Sequence, residues 1–188
     1  MMHIHPKNPV GQGDCILIQQ DDKNMLIDTG PYVNTDSTLS YLKKQNIKKL
    51  DYLVLTHPHE DHIGGAGTVI NTFDIGTVYM PKITANTPSY KITVNMMKRK
   101  GLKAEQILPG LSFKLGKADC RILGPINPVS GDLNTYSLVI KLTFGSNKFL
   151  FTGDAQYSNE DDMVFSRAIT ESSGMLAIKH RSSAPGVG

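Results

Sequence analysis

The chain has 188 residues with a formal net charge of +3 and a hydrophobic fraction of 39%, which suits one domain with a sizeable core and argues against a long disordered segment. The mild positive charge allows an anionic substrate without requiring one. Two cysteines, Cys15 and Cys120, are too few for a disulfide framework, and the absence of a signal peptide or a membrane-length apolar run makes the cytoplasm the default location.

The N-terminal residues predict either an edge strand or a frayed terminus. His3 and His5 alternate with apolar residues, but Pro6 and Pro9 cannot donate backbone hydrogen bonds inside a sheet. Both histidines remain candidate ligands, although an edge or frayed segment is the favoured interpretation. A turn at residues 11–14 follows, and then a hairpin with strands at residues 15–19 and 25–28.

The next part of the chain alternates helices with strands. Residues 37–46 predict a helix with Leu39 and Leu42 facing inward, and residues 50–55 predict a short buried strand. A strand, a helix and a strand in this order form a βαβ unit, which favours a parallel pair. Further helices are expected at residues 67–72 and 90–100, with a strand at residues 77–80 between them.

A basic cluster lies at the end of the last of these helices and consists of Lys98, Arg99, Lys100 and Lys103. The ordinary interpretation is a solvated helix end, where cations also interact favourably with the helix dipole. The alternative is a contact with nucleic acid, which requires basic residues gathered on one face.

The second half of the chain predicts two hairpins. The first covers residues 113–123, and the second pairs residues 137–144 with residues 148–152 across a Gly-Ser-Asn turn. The last strand delivers Gly153 and Asp154 to a loop.

A histidine-rich loop at residues 56–65 is the densest concentration of metal-ligand side chains in the chain. It holds His57, His59 and His62, three of the six histidines, together with Asp61. Imidazole and carboxylate groups suit Zn²⁺ and similar ions, and packing alone explains the cluster poorly because each buried polar group would need a partner. The loop leaves the carboxyl end of a strand, where open α/β sheets place their sites.

This loop resembles the His-x-His-x-Asp-His signature of the metallo-β-lactamase-fold hydrolases. Gly-Gln-Gly-Asp at residues 11–14, Ile-Asp-Thr-Gly at residues 27–30 and Phe-Thr-Gly-Asp at residues 151–154 are similar to segments of the ComEC competence-protein branch. The match runs in order from about Gly11 to Asp154 and more weakly to His180. The resemblance implies an α/β fold, a metallo-β-lactamase-like αββα four-layer sandwich of two mixed sheets with helices outside.

The resemblance also implies a site for one or two Zn²⁺ ions, with Mn²⁺ as the alternative. Two ligand sets follow from it: His57, His59 and Asp154 for the first ion, and Asp61, His62, Asp154 and His180 for the second. Asp61 and Asp154 would in addition act catalytically by holding the attacking water and accepting its proton. Asp28 would support the ligands from behind without touching metal; a turn cap is the alternative role for this residue.

Two positions depart from the family pattern. Asn134 stands where many members have a further histidine ligand, and because an amide oxygen is a weaker ligand than imidazole, the first ion is expected to bind more loosely. Arg181 follows His180 where relatives have a second histidine. We therefore expect a single domain over residues 1–188 whose second half is shortened after about residue 180.

The function implied by the resemblance is metal-dependent hydrolysis with a metal-bound hydroxide as the nucleophile. A phosphodiester, including DNA, is the expected substrate. The alternatives are a hydrolase of a small ester or lactone, and a degenerate, shortened domain that binds metal or a partner without turnover. Competence-branch relatives carry this domain outside the cytoplasm in a larger membrane protein, which is the alternative location.

Overall fold

Two β-sheets lie face to face in the computed structural model, which describes residues 1–6, 13–156, 161 and 175–178. The first sheet has six strands in the order of the chain: β1 (Met2–Pro6), β2 (Ile16–Gln20), β3 (Lys23–Ile27), β4 (Lys49–Val54), β5 (Asp74–Met80) and β6 (Ala104–Gln106). The second sheet has five strands in the order β11-β10-β9-β8-β7: β7 (Ser112–Leu115), β8 (Ala118–Gly124), β9 (Val139–Phe144), β10 (Asn147–Phe151) and β11 (Met175–Ile178).

Within residues 13–156, four α-helices connect or follow the strands: α1 (Thr35–Lys44), α2 (Glu60–Ile63), α3 (Ala66–Thr72) and α4 (Pro88–Arg99). Short 3₁₀ helices cover Tyr32–Asn34 and Leu133–Tyr136. Helices α1, α3 and α4 match the predicted segments within two residues at each end. The sequence did not predict the single turn of α2 or the short strands β6 and β11.

The first sheet is mixed, and its parallel part positions the histidine loop. Strands β3, β4, β5 and β6 run parallel, and Ile27 lies opposite Val54, which confirms the predicted βαβ unit. Strand β1 pairs antiparallel with β2 at the sheet edge, a position that agrees with Pro6 at its end. Because parallel strands end at the same edge, the loops that follow β3 and β4 meet there.

Apolar side chains fill both faces of the first sheet. Along β2, Ile16 and Ile18 pack against the second sheet, whereas Leu17 packs toward the helices. This alternation follows from the two-residue period of a strand. The layer between the sheets also takes Ile140 and Phe151 from the second sheet. The described residues therefore provide one helical layer and two mixed sheets, and the fold agrees with the predicted sandwich.

The second sheet is also mixed: β10 and β11 are parallel, and the other strand pairs of this sheet are antiparallel. On its outer face, Leu123, Val139 and Leu150 form a small cluster with Ala155. In the part of the chain that the structure describes, the longest helix has 12 residues, and none is long and apolar enough to cross a bilayer.

Two hairpin glycines offer a matched test of the contact between the sheets. Gly116 and Gly145 have φ of +58° and +60°, but a Cβ at Gly116 would overlap Oε1 of the buried Gln20, whereas Gly145 has open space. The same Oε1 accepts a hydrogen bond of 2.6 Å from the Lys117 N–H. Gly116→Ala therefore adds a steric overlap to the backbone strain that both substitutions share.

We expect Gly116→Ala to lower the free energy of unfolding by about 1–3 kcal/mol more than Gly145→Ala, the usual range for overpacking. Urea unfolding followed by circular dichroism measures both changes. An equal loss of unfolding free energy in the two variants would show that the Gln20 side chain can move away from the added methyl group without destabilising the fold.

Candidate metal centre

The candidate centre forms where the ends of β3, β4 and β10 come together. Asp28 follows β3, and its N–H donates to the Val54 carbonyl over 2.8 Å. The histidine loop follows β4, and Asp154 follows β10 of the other sheet. The fold brings Oδ1 of Asp154 to 3.4 Å from Nε2 of His62, although the two residues lie far apart in the chain.

Asp28 lies at the base of the centre and is fully buried. Its carboxylate accepts hydrogen bonds from the Thr56 N–H (2.8 Å), the Thr56 hydroxyl (2.6 Å) and Nδ1 of His62 (2.7 Å). An ionised carboxylate only accepts, so Nδ1 of His62 carries a proton and Nε2 is the ring nitrogen left to bind a metal. Nε2 lies on the side of Asp154 and Asp61.

Thr56 is a functional residue that sequence reasoning missed. Its hydroxyl donates to Asp28, so the same oxygen can accept from Nδ1 of His57, which lies 3.1 Å away. That bond leaves the lone pair of His57 on Nε2. The Thr56 carbonyl also accepts from the Leu138 N–H over 3.0 Å, which joins the two sheets at the centre. The only signal in the sequence was a hydroxyl residue directly before the first histidine of the loop.

The separations between the ligand-type atoms fit a shared cation. Nε2 of His57 lies 3.1 Å from Nδ1 of His59; two ligand atoms of a tetrahedral zinc lie about 3.3 Å apart, because each is about 2.0–2.1 Å from the metal. Without metal, the same distance accommodates an N–H···N bond. His57, His62 and Asp154 also form a group whose ligand atoms lie within 4.8 Å of one another.

Asp61 lies at the more accessible side of this group. Its Oδ2 is 3.8 Å from Nε2 of His62, and its side chain is 34% exposed, compared with 7% for Asp154. The two carboxylates therefore differ in solvent access while both approach the same imidazole nitrogen.

The charge of the centre favours a cation. Burial acts to lower the pKa of the His62 imidazole, but the charges of Asp28 and Asp154 and the hydrogen bonds with both outweigh burial and raise the pKa to about 11. Without metal, this negative potential keeps the imidazole protonated, and a divalent ion bound at Nε2 would replace that proton and be stabilised by the same two carboxylates. The donor set of imidazoles and carboxylates therefore fits a metal of the zinc type.

Neighbouring backbone segments hold the histidine loop in place. The Thr29 N–H donates to the His62 carbonyl over 2.8 Å. Gly13 has φ of +103°, and a Cβ there would overlap the Asp61 carbonyl oxygen. Asp14 forms a second group with Asp28 and His62. Because Asp28 and His62 are bonded to each other, we interpret this second group as support for the centre.

Several residues singled out from the sequence lie elsewhere. His5 packs its ring 6.3 Å from that of Tyr41, and neither His3 nor His5 belongs to a potential metal-ligand group among the described residues. His180 falls outside the residues that the structure describes, as do Gly11 and Gln12, so the role expected for His180 stays a prediction.

Asn134 lies in the 3₁₀ turn before β9. Its Oδ1 is buried and has no hydrogen-bond partner in the described parts of the chain. The same turn is tied to the histidine loop, because the Asn134 carbonyl accepts from the Ser137 N–H and the next residue, Leu138, donates to Thr56. The turn that carries Asn134 is therefore joined to the residue directly before His57.

Comparisons with known proteins agree with this geometry. The model of the Metallo-beta-lactamase superfamily matches residues 8–183. ComE operon protein 3 of Bacillus subtilis is 24% identical over 82% of the chain, and Recombination protein 2 of Haemophilus influenzae is 33% identical over 85%. Ribonuclease J of Synechocystis is 30% identical over 58%. The chain spans only 22%, 19% and 18% of these three relatives, respectively.

Solved structures show the same fold. The MIM-2 Metallo-Beta-Lactamase superposes with a TM-score of 0.63 at 13% identity, over 97% of this chain and 74% of the other. YhfI of Bacillus subtilis, a metallo-beta-lactamase fold protein, superposes with a TM-score of 0.55 at 19% identity, over 84% and 65%. Together with the curated relatives, these similarities confirm the expected fold and the resemblance to the competence branch.

The contact between Asp28 and His62 leads to the first prediction for the centre. We expect Asp28→Asn to weaken Zn²⁺ binding by about 10–100-fold, the usual effect of removing a partner that orients a ligating histidine. Competition with a chromophoric chelator measures the affinity. Asp119→Asn is the matched control, because it removes the same charge from a side chain that is 65% exposed and paired with Lys114. Equal affinities in the two variants would contradict the assigned role.

The buried amide of Asn134 leads to the second prediction. Asn134→His should tighten binding of the more weakly held ion, because imidazole is a stronger ligand than an amide oxygen. Metal titration followed by isothermal calorimetry measures the change. Unchanged binding in this variant, together with loss of one metal in His3→Ala or His5→Ala, would show that the first position lies elsewhere.

Proposed function

The chain belongs to the Metallo-beta-lactamase superfamily, and on that premise we propose that it is a metal-dependent hydrolase of phosphodiesters. The observation that carries the proposal is the group of His57, His62 and Asp154, with His62 oriented by the buried Asp28. This arrangement matches what a hydrolytic metal centre requires: imidazoles of defined orientation with carboxylates beside them.

We propose the two overlapping ligand sets that the family resemblance implies. His57, His59 and Asp154 would hold one divalent ion; Asp61, His62 and Asp154 would hold a second, with His180 as a further proposed ligand. An ion held there would supply Lewis-acid chemistry, polarising the substrate and lowering the pKa of a coordinated water. Zn²⁺ is the ion we propose, with Mn²⁺ as the alternative.

The two carboxylates, which differ in solvent exposure, can have different roles. Asp61 is the more exposed, so its free oxygen can reach an entering water and accept a proton from it. Asp154 is nearly buried and keeps a fixed position between the two ligand sets. Thr56 and Asp28 fix the ring tautomers of His57 and His62, so that both imidazoles present Nε2 to the centre.

Relatives support a phosphodiester as the substrate class. Ribonuclease J and Exodeoxyribonuclease YycJ are named for cleavage of RNA and DNA, whose backbones are phosphodiesters. The net charge of +3 presents no general electrostatic barrier to such an anion.

The direct test is hydrolysis of bis-p-nitrophenyl phosphate by protein loaded with Zn²⁺ or Mn²⁺. We expect turnover that the His57→Ala, His59→Ala double variant reduces by more than about 100-fold, beyond the loss typical of residues that only support a ligand. The His3→Ala, His5→Ala double variant is the matched control, because it removes two imidazoles at the same spacing from β1. Its activity should equal that of the wild type.

A lactone substrate and elemental analysis complete the design. Turnover of the lactone without turnover of the phosphodiester would replace the proposed substrate class. Retained metal without turnover of either substrate would reject the enzyme proposal in favour of a metal-binding domain.

A further inference from the structure

An open cavity of about 800 Å³ lies beside α4, within the range of about 300–1,000 Å³ typical of small-molecule sites. We call it the α4 groove; it is formed by the end of β5 and the loop after it, by α4, and by the segment from Gly101 to Glu105. Its apolar lining includes Met80, Ile83, Val94, Met97 and Leu102. None of the candidate metal ligands within the described residues lines it, so the groove is a feature separate from the centre.

The α4 groove nevertheless lies next to the histidine loop. At the start of α4, the Thr87 hydroxyl donates to the Pro58 carbonyl over 3.4 Å and accepts from the Tyr90 N–H over 3.2 Å. Tyr90 lines the groove, and its hydroxyl donates to the carbonyl of Ile83, another lining residue, over 2.8 Å. One wall of the groove is therefore held directly against the loop that carries His57 and His59.

Positive charge borders the α4 groove. Lys82, Lys98 and Lys103 line it together with a single carboxylate, Glu105. These lysines come from three different segments, so the fold gathers them around one cavity. Arg99 and Lys100, which extend the basic run in the sequence, do not line the groove.

We propose that the α4 groove binds a segment of single-stranded nucleic acid, with a base against Tyr90 and the apolar lining and phosphates at the three lysines. Bases stack on aromatic rings whatever their identity, and lysine contacts phosphate as a point charge. A fatty-acid-like ligand has a single anionic group for three lysines. A nucleic-acid strand has one phosphate per nucleotide and therefore matches the three lysines better. The inference rests on the proposed phosphodiesterase function, since it specifies the substrate of that activity.

The first experiment measures binding of a fluorescein-labelled oligothymidylate by fluorescence anisotropy, with metal removed by a chelator so that turnover plays no part. We expect Lys98→Gln, Lys103→Gln to weaken binding about tenfold and to reduce the slope of log K against log salt by about 1.4, or about 0.7 for each lost phosphate contact. Lys43→Gln, Lys44→Gln is the matched control, because it removes the same charge from the last turn of α1. Its affinity should stay at the wild-type value.

The second experiment tests the aromatic contact. Tyr90→Leu should weaken binding about fivefold because the stacking surface is lost, whereas Tyr90→Phe keeps the ring and should bind within about twofold of wild type. A Phe variant as weak as the Leu variant would mean that the bond from the Tyr90 hydroxyl to Ile83 matters and that stacking does not.

Three results would overturn the proposal. The first is no binding of the oligothymidylate by the wild type, and the second is an equal loss of affinity in the two double lysine variants. The third is that Lys98→Gln, Lys103→Gln weakens binding to anionic lipid vesicles but leaves binding to the oligothymidylate unchanged. Hydrolysis of bis-p-nitrophenyl phosphate is measured separately. Groove-dependent binding without hydrolysis would reject the proposed function and leave the groove assignment intact. Hydrolysis without groove-dependent binding would reject the groove assignment and leave the proposed function intact.

Discussion

The hydrogen bonds of one buried carboxylate, that of Asp28, organise the centre. A charged group that is fully removed from water is costly unless it is paired and hydrogen-bonded, and Asp28 meets this requirement through two donors from Thr56 and one from His62. Its backbone adopts φ of +54°, which a short polar residue tolerates better than most. The chain thus leaves β3 in the direction that places the carboxylate under the histidine loop.

The same hydrogen bonds also determine how the neighbouring side chains are oriented. Because the Thr56 hydroxyl donates its hydrogen bond to Asp28, its oxygen can accept a hydrogen bond from Nδ1 of His57. Because Asp28 also accepts the hydrogen bond from Nδ1 of His62, both histidines direct Nε2 toward the other ligand-type groups. The Thr56 carbonyl receives the Leu138 N–H, so the second sheet, which delivers Asp154, is held in register with these rings.

The candidate metal ligands and the α4 groove lie in separate parts of the structure. His57 and His62 are buried, whereas a cavity of about 800 Å³ lies beside α4 and is lined by apolar and basic side chains. The bond from Thr87 to Pro58 joins the two. Buried ligands suit metal chemistry because their orientation is constrained, and an open groove beside them suits a polymer that must pass across the surface.

Local patterns in the sequence determined the metal-ligand loop and most of the secondary structure of this protein. The spacing of His57, His59, Asp61 and His62 indicated a metal site, and apolar periodicity located most strands and three helices, because both signals depend on neighbours in the chain. Other features depend on distant segments meeting: the approach of Asp154 to His62, the bonds of Thr56, and the gathering of Lys82 with Lys98 and Lys103. In the sequence, the basic residues after α4 form one cluster, but the fold divides them, because only tertiary packing decides which side chains face the same cavity.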